Sequence, residues 1–222
     1  MCWNVKRRDK RSDNIKRYII NYSLKNGLGH PAISIFLTGC DKPIKCEDCH
    51  NRELQEQSQY NYDINEIKYE VDKEIHNYLQ FHNKLYVAIL GGEPLAKYNR
   101  NITLELSNYI KEKYKNAIIV LYSWRTIEQI NRESLKPYIK YIDYGVLGSY
   151  NKDLYVSNTL PSSTNQYIYD FKNNEKLKPI KLKRGWCLMA EYNFPMTLDR
   201  QFKNQLEYLH DKYGDEMMLI EG

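Results

Sequence analysis

The chain has 222 residues, of which 33 are Lys or Arg and 28 are Asp or Glu, for a formal net charge of +5. Seven of the bases and two of the acids fall in residues 1–17, so the rest is balanced at 26 of each, and a basic groove for nucleic acid is not expected. Hydrophobic residues make up 42%, which excludes a disordered chain, and no apolar run approaches the roughly 18–20 residues of a bilayer span.

At this length one domain with its own core is expected. No apolar run or small-residue cleavage site follows the basic N-terminus, so a secretory leader is not expected. Three of the five cysteines, Cys40, Cys46 and Cys49, lie within one short segment. That distribution suits metal ligation better than a disulfide framework and points to a reducing, cytoplasmic setting.

In chain order, Ile33–Leu37 is a short β-prone run that ends at Thr38-Gly39-Cys40. Asp63 with Glu66 is a capping-box start, and Ile64, Ile67, Val71, Ile75 and Leu79 then recur at helical spacing. Leu85–Leu90 is a continuous apolar run stopped by Gly91-Gly92, as expected of a parallel strand covered on both faces. Leu104–Tyr114 reads as a helix, Ala117–Leu121 as a strand, Thr126–Arg132 as a short helix and Tyr141–Leu147 as a strand. This alternation predicts right-handed βαβ units and a parallel sheet. Leu198, Phe202, Leu206, Leu209 and Tyr213, closed by Gly214, predict a C-terminal amphipathic helix.

The segment Gly39–Asn51 admits four readings. Cys46-x-x-Cys49-His50 matches the c-type haem attachment pattern, but this leaves Cys40 idle and requires export. A thioredoxin-like pair also ignores Cys40, and no helical apolar pattern starts directly after it. A structural zinc site of Cys40, Cys46, Cys49 and His50 has the right ligand number, although His50 follows Cys49 directly, which makes joint ligation awkward. The fourth reading is a 4Fe–4S cluster on three thiolates, with one iron left open for chemistry. A loop after the first strand places that iron at the C-terminal end of the sheet, where parallel α/β folds bind ligands.

Downstream, Gly91-Gly92-Glu93-Pro94 ends a strand. The glycines let backbone come close to a ligand, Pro94 stiffens the turn, and the Glu93 carboxylate with backbone acceptors suits an ammonium group. Behind a three-cysteine loop this pattern favours iron–sulfur over zinc. Cys187 could serve as a fourth ligand or a reactive thiol but reads better as a buried apolar cysteine, Cys2 reads as a bystander, and His30, His76, His82 and His210 show no metal-ligand spacing.

Together these residues resemble the radical S-adenosylmethionine (SAM) superfamily and, within it, the glycyl-radical activating enzymes, in particular those serving anaerobic ribonucleotide reductases. Asn26-Gly27-Leu28-Gly29 before Phe36–Cys40, Cys49-His50-Asn51-Arg52-Glu53, Tyr122-Ser123, Asp143 with Gly148-Ser149-Tyr150, and Ser162-Ser163-Thr164-Asn165-Gln166 all match that group's motifs in order. The gap between the first two cysteines is longer than the superfamily's usual one, so the loop must bulge around Pro43.

The resemblance implies an α/β fold, a partial (β/α)6-type radical SAM barrel with mostly parallel strands, plus a C-terminal helical extension. It divides the chain into a basic tail (1–18), a core domain (19–170) and an extension (171–222). It also implies a 4Fe–4S cluster on Cys40, Cys46 and Cys49, and SAM held by Gly91, Gly92, Glu93, Pro94, Ser123 and Asn165. Asn165 and Gln166 would line the rim where a partner's glycine loop enters. The implied reaction is reductive cleavage of SAM to a 5′-deoxyadenosyl radical that installs a glycyl radical on a large reductase subunit, with flavodoxin or ferredoxin as electron donor. A radical SAM enzyme for a small molecule or peptide, such as a 7-carboxy-7-deazaguanine synthase-like one, and a zinc-stabilised binding module remain the alternatives.

Overall fold

The continuous apolar runs of the sequence form the centre of a sheet. A computed structural model describes residues 18–58 and 63–182. Its strands are β1 (Tyr18–Ser23), β2 (Ala32–Leu37), β3 (Tyr86–Gly91), β4 (Ile118–Ser123), β5 (Tyr144–Leu147), β6 (Thr159–Leu160), β7 (Tyr167–Asp170), β8 (Glu175–Leu177) and β9 (Ile180–Lys181). The helices are α1 (Ile64–Leu79), α2 (Arg100–Lys113) and α3 (Ile127–Arg132). Seven strands make one sheet in the order β1-β2-β3-β4-β5-β7-β8, and β6 pairs with β9 separately.

The expected parallel centre is present: β2, β3, β4 and β5 pair in parallel, with Ile33 opposite Val87 and Val87 opposite Ile119. The flanks differ from the expectation of mostly parallel strands, because β1, β7 and β8 all pair antiparallel. For β1–β2 and β7–β8 the cause is connection length: residues 24–31 and 171–174 are too short for a crossover, so each returns the chain antiparallel. Tyr18, placed in the tail by the sequence reading, begins β1.

All six residues of β2 are buried, so this strand is covered on both faces. One face carries Ile33, Ile35, Leu37, Val87, Ile89, Ile119 and Leu121, which share a core with the apolar stripes of α1 and α2. The other face carries Phe36, Ala88 and Leu90 against Leu54, then Val120, Val146 and Ile168 against Leu28 and Ile180.

The helix ends show where local signals held and where they did not. Asp63 caps α1 by accepting from the Asn65 N–H. In its last turn Tyr78 (1% exposed) takes the core position, while Leu79 (41%) faces outward. Thr126 caps α3 in a reciprocal box with Gln129. The start of α2 lies earlier than the apolar pattern suggests, at Arg100. Its N-cap residue Asn99 makes no capping bond and donates its side-chain amide to the Thr38 and Glu93 carbonyls instead. The predicted helix at 198–213, residues 1–17, Cys2, Cys187 and His210 lie outside the described residues.

Candidate functional site

Three glycines dock the cysteine loop onto the end of β3. Gly92 donates its N–H to Leu37 O and Glu93 donates to Gly39 O, both at 2.7 Å, which extends the β2–β3 ladder past the strands. A Cβ on Gly92 would be driven into the Gly39 carbonyl. Gly91 has φ +116° and Gly39 has φ +89°, a region that glycine alone enters freely. The paired glycines thus bring backbone first to the backbone of the loop carrying Cys40.

The base of that loop is closed by Gly39 N–H to Leu54 O (2.8 Å) and Cys40 N–H to Gln55 O (2.9 Å). Between these points the chain bulges at residues 43–44, with Ile44 82% exposed, as the long first cysteine gap requires. Cys40, Cys46 and Cys49 are free thiols of intermediate exposure on this one loop. Burial pushes the Cys40 thiol up, a bias that coordination of the thiolate would have to overcome.

Glu93 is wholly buried (0% exposed), and its carboxylate is saturated with protein donors. Oε1 accepts from the Leu95 N–H (3.0 Å) and the Ser123 hydroxyl (2.8 Å), and Oε2 accepts from the Trp124 N–H (3.1 Å). The Arg125 guanidinium lies 3.3 Å from Oε1. Burial raises the Glu93 pKa to about 7 against the opposing pull of Arg125. The Ser123 hydroxyl also accepts from the Arg125 N–H (3.1 Å).

Arg125 faces two further carboxylates, Asp41 and Glu133. Partial burial works against ionisation of Asp41, but the hydrogen bond and charge of Arg125 outweigh it and lower the pKa. Across the loop, Lys152 pairs with Glu47, and the His50 ring tilts against Tyr150 with centroids 5.1 Å apart. Asn165 and Gln166 hold the 148–151 segment through its Ser149 and Gly148 carbonyls, at 2.7 and 2.9 Å. Asp143 accepts from Lys111 and from the Ile119 N–H, so it ties β4 to α2. The Pro94 carbonyl accepts from the Thr103 hydroxyl at 2.9 Å, which fixes the turn.

The structure therefore gathers Cys40, Gly91, Gly92, Glu93 and Ser123 at one end of the parallel strands, with Cys46 and Cys49 on the same loop. Asn165 sits beside the neighbouring 148–151 segment. Sequence reasoning missed Asp41, Asn99, Trp124, Arg125 and Glu133. Asp41 and Arg125 adjoin recognised motif residues, but their pairing spans 84 positions and has no local signal.

Among the described residues no three His, Cys, Asp or Glu side chains converge closely enough to hold a single metal ion. A tetrahedral zinc knot of Cys40, Cys46, Cys49 and His50 would require that convergence. Three thiols of intermediate exposure on one loop match the donor set of a four-iron cube held by three protein thiolates.

Residues 25–169 match the family described as a 4Fe-4S single cluster domain, and the chain belongs to that family. It is also 27% identical over 145 residues to the anaerobic ribonucleoside-triphosphate reductase-activating protein of Enterobacteria phage T4, covering 65% of this chain and 86% of the relative. No solved structure matches the chain at comparable stringency. No helix among the described residues is long and apolar enough to cross a membrane.

Proposed function

We propose that this chain is a radical SAM activating enzyme whose target is an anaerobic ribonucleotide reductase. The observation that carries the reading is the locking of the three-cysteine loop onto the Gly-Gly-Glu strand end through the Glu93 N–H to Gly39 O bond. The cluster-family membership and the phage relative's name point the same way.

Cys40, Cys46 and Cys49 would hold the cluster by three of its irons. When bound, the cluster would supply one-electron reduction of the SAM sulfonium, the chemistry from which a glycyl radical on the partner reductase would be generated. The chain's own residues bind and orient. Gly91 and Gly92 let the loop backbone seat directly against the strand end, and Pro94 fixes the turn that follows. Glu93 and Ser123 hold the ends of β3 and β4 together, so the strand-end backbone is preorganised for the methionine ammonium. Asn165 and Gln166 shape the 148–151 segment that would meet the partner's glycine loop. The parallel centre of the sheet supports an incomplete-barrel reading, with β8 and β9 carrying the working unit past residue 170. A flavodoxin or ferredoxin would be the donor, in a cytoplasm that keeps thiols reduced.

Anaerobic reconstitution with iron and sulfide tests this. The expected outcome is brown absorbance, dithionite-dependent formation of 5′-deoxyadenosine from SAM, and a glycyl-radical EPR doublet when the cognate reductase is added. Failure to form 5′-deoxyadenosine would sink the radical SAM reading. Its formation without a doublet would move the target to a small molecule or peptide.

A further inference from the structure

We propose that Arg125 is a positioning residue for the cysteine loop, acting on Cys40 through Asp41. This rests on reading the loop as the cluster's cradle.

Arg125 is 5% exposed, and its guanidinium meets three carboxylates from three separate elements. Nε donates to Glu133 Oε2 at 2.8 Å, just beyond α3, and Nη1 lies 3.3 Å from Glu93 Oε1 at the end of β3. Those two contacts fix the plane of the fork. The remaining edge is presented to Asp41, with Nη1 to Oδ1 at 3.1 Å and Nη2 to Oδ2 at 2.6 Å. Trp124 completes the grip: its Nε1–H donates to Asp41 Oδ1 at 3.1 Å, and its ring lies 4.5 Å from the guanidinium carbon.

Asp41 directly follows Cys40, so an anchored carboxylate sets the direction in which that thiol leaves the loop base. Bidentate geometry is what a guanidinium provides and an ammonium does not. A residue that merely neutralised buried acids would tolerate Lys, whereas a tether would not. Groups that orient metal ligands from behind commonly alter metal affinity about 10–100-fold when removed.

The test compares Asp41→Ala, Arg125→Lys and Glu133→Gln with the wild-type full chain. In the metal-free protein, iodoacetamide labelling followed by peptide mapping gives the rate at Cys40 relative to Cys46 and Cys49. Asp41→Ala and Arg125→Lys are expected to raise the Cys40 ratio several-fold with Tm nearly unchanged, and Glu133→Gln to raise it less. After anaerobic reconstitution, the first two are expected to bind iron and sulfide about tenfold more weakly and to show an altered EPR line shape for the reduced cluster. A wild-type Cys40 ratio in Asp41→Ala, or an Arg125→Lys protein indistinguishable from wild type, would overturn the tether. A labelling shift in a protein that takes up no cluster would keep the tether and defeat the proposed function instead.

Discussion

The two ends of the parallel strands hold their polar groups by opposite means. At the C-terminal end lie formal charges: Glu93, Asp41 and Glu133 around Arg125. At the N-terminal end lies a neutral aromatic cluster. Tyr22 shares a 2.8 Å hydrogen bond with His82 Nε2, Tyr78 donates to Pro31 O at 2.9 Å, and the Tyr78 and His82 rings are 4.3 Å apart. A buried ion network is expensive to break because it leaves a charge unpaired, whereas a neutral hydroxyl loses one bond of modest net worth. The charged end therefore confers geometry more than stability, and the aromatic end closes the core beneath it.

Breaking the charged end should do the most damage. At pH 8, where Glu93 carries its charge, Arg125→Met removes the counter-charge of this buried carboxylate and is expected to destabilise the fold by about 3–5 kcal/mol in urea unfolding. A loss below about 1 kcal/mol would mean that Glu93 is held without Arg125. Next, Gly92→Ala drives a methyl group into the Gly39 carbonyl. It should cost about 3 kcal/mol and lower cluster uptake on reconstitution.

The pH dependence sharpens the contrast, because the two ends respond with opposite signs. Burial raises Glu93 from 4.5 to about 7, so the unfolded chain loses this proton first. Stability from Glu93 is full below pH 4.5 and declines as pH rises towards 7, with a slope of at most about 1.4 kcal/mol per pH unit. Burial lowers His82 from 6.5, so the unfolded chain gains that proton first, and stability is lost as pH falls below 6.5. Unfolding curves across pH 4–8 for Glu93→Gln and His82→Gln should each remove one slope and keep the other. The smallest effect is Tyr78→Phe. It deletes the bond to the Pro31 carbonyl and should cost about 1 kcal/mol, with no change in the pH profile.

What the sequence revealed follows the range of the interactions involved. The strands β2–β5 are short, mostly apolar runs, and the stripe of α1 and the Thr126 cap are local patterns, so each is legible. β1 was passed over although Tyr18, Ile19, Ile20 and Tyr22 favour a strand. β6, β8 and β9 hold only two or three residues and carry no periodicity to detect. In the site, the cysteines and Gly91-Gly92-Glu93 stand in contiguous motifs. The Asp41–Arg125–Glu133 grouping does not, since a carboxylate's partner is chosen by which strand ends the sheet brings together. Asn99 shows the same limit: its amide serves Thr38 and Glu93, which removes the capping bond that would have marked the start of α2.

The ladder bonds from Gly92 and Glu93 to Leu37 and Gly39 also set an order of assembly. The cysteine loop is made early in synthesis, but its seat consists of residues 92–93 and its outer grip of residues 124–125. A nascent chain that has not yet joined β4 to β3 presents three thiols with no fixed spacing. On the proposed function, cluster delivery would therefore follow completion of the sheet centre, with the three thiols of intermediate exposure still within reach.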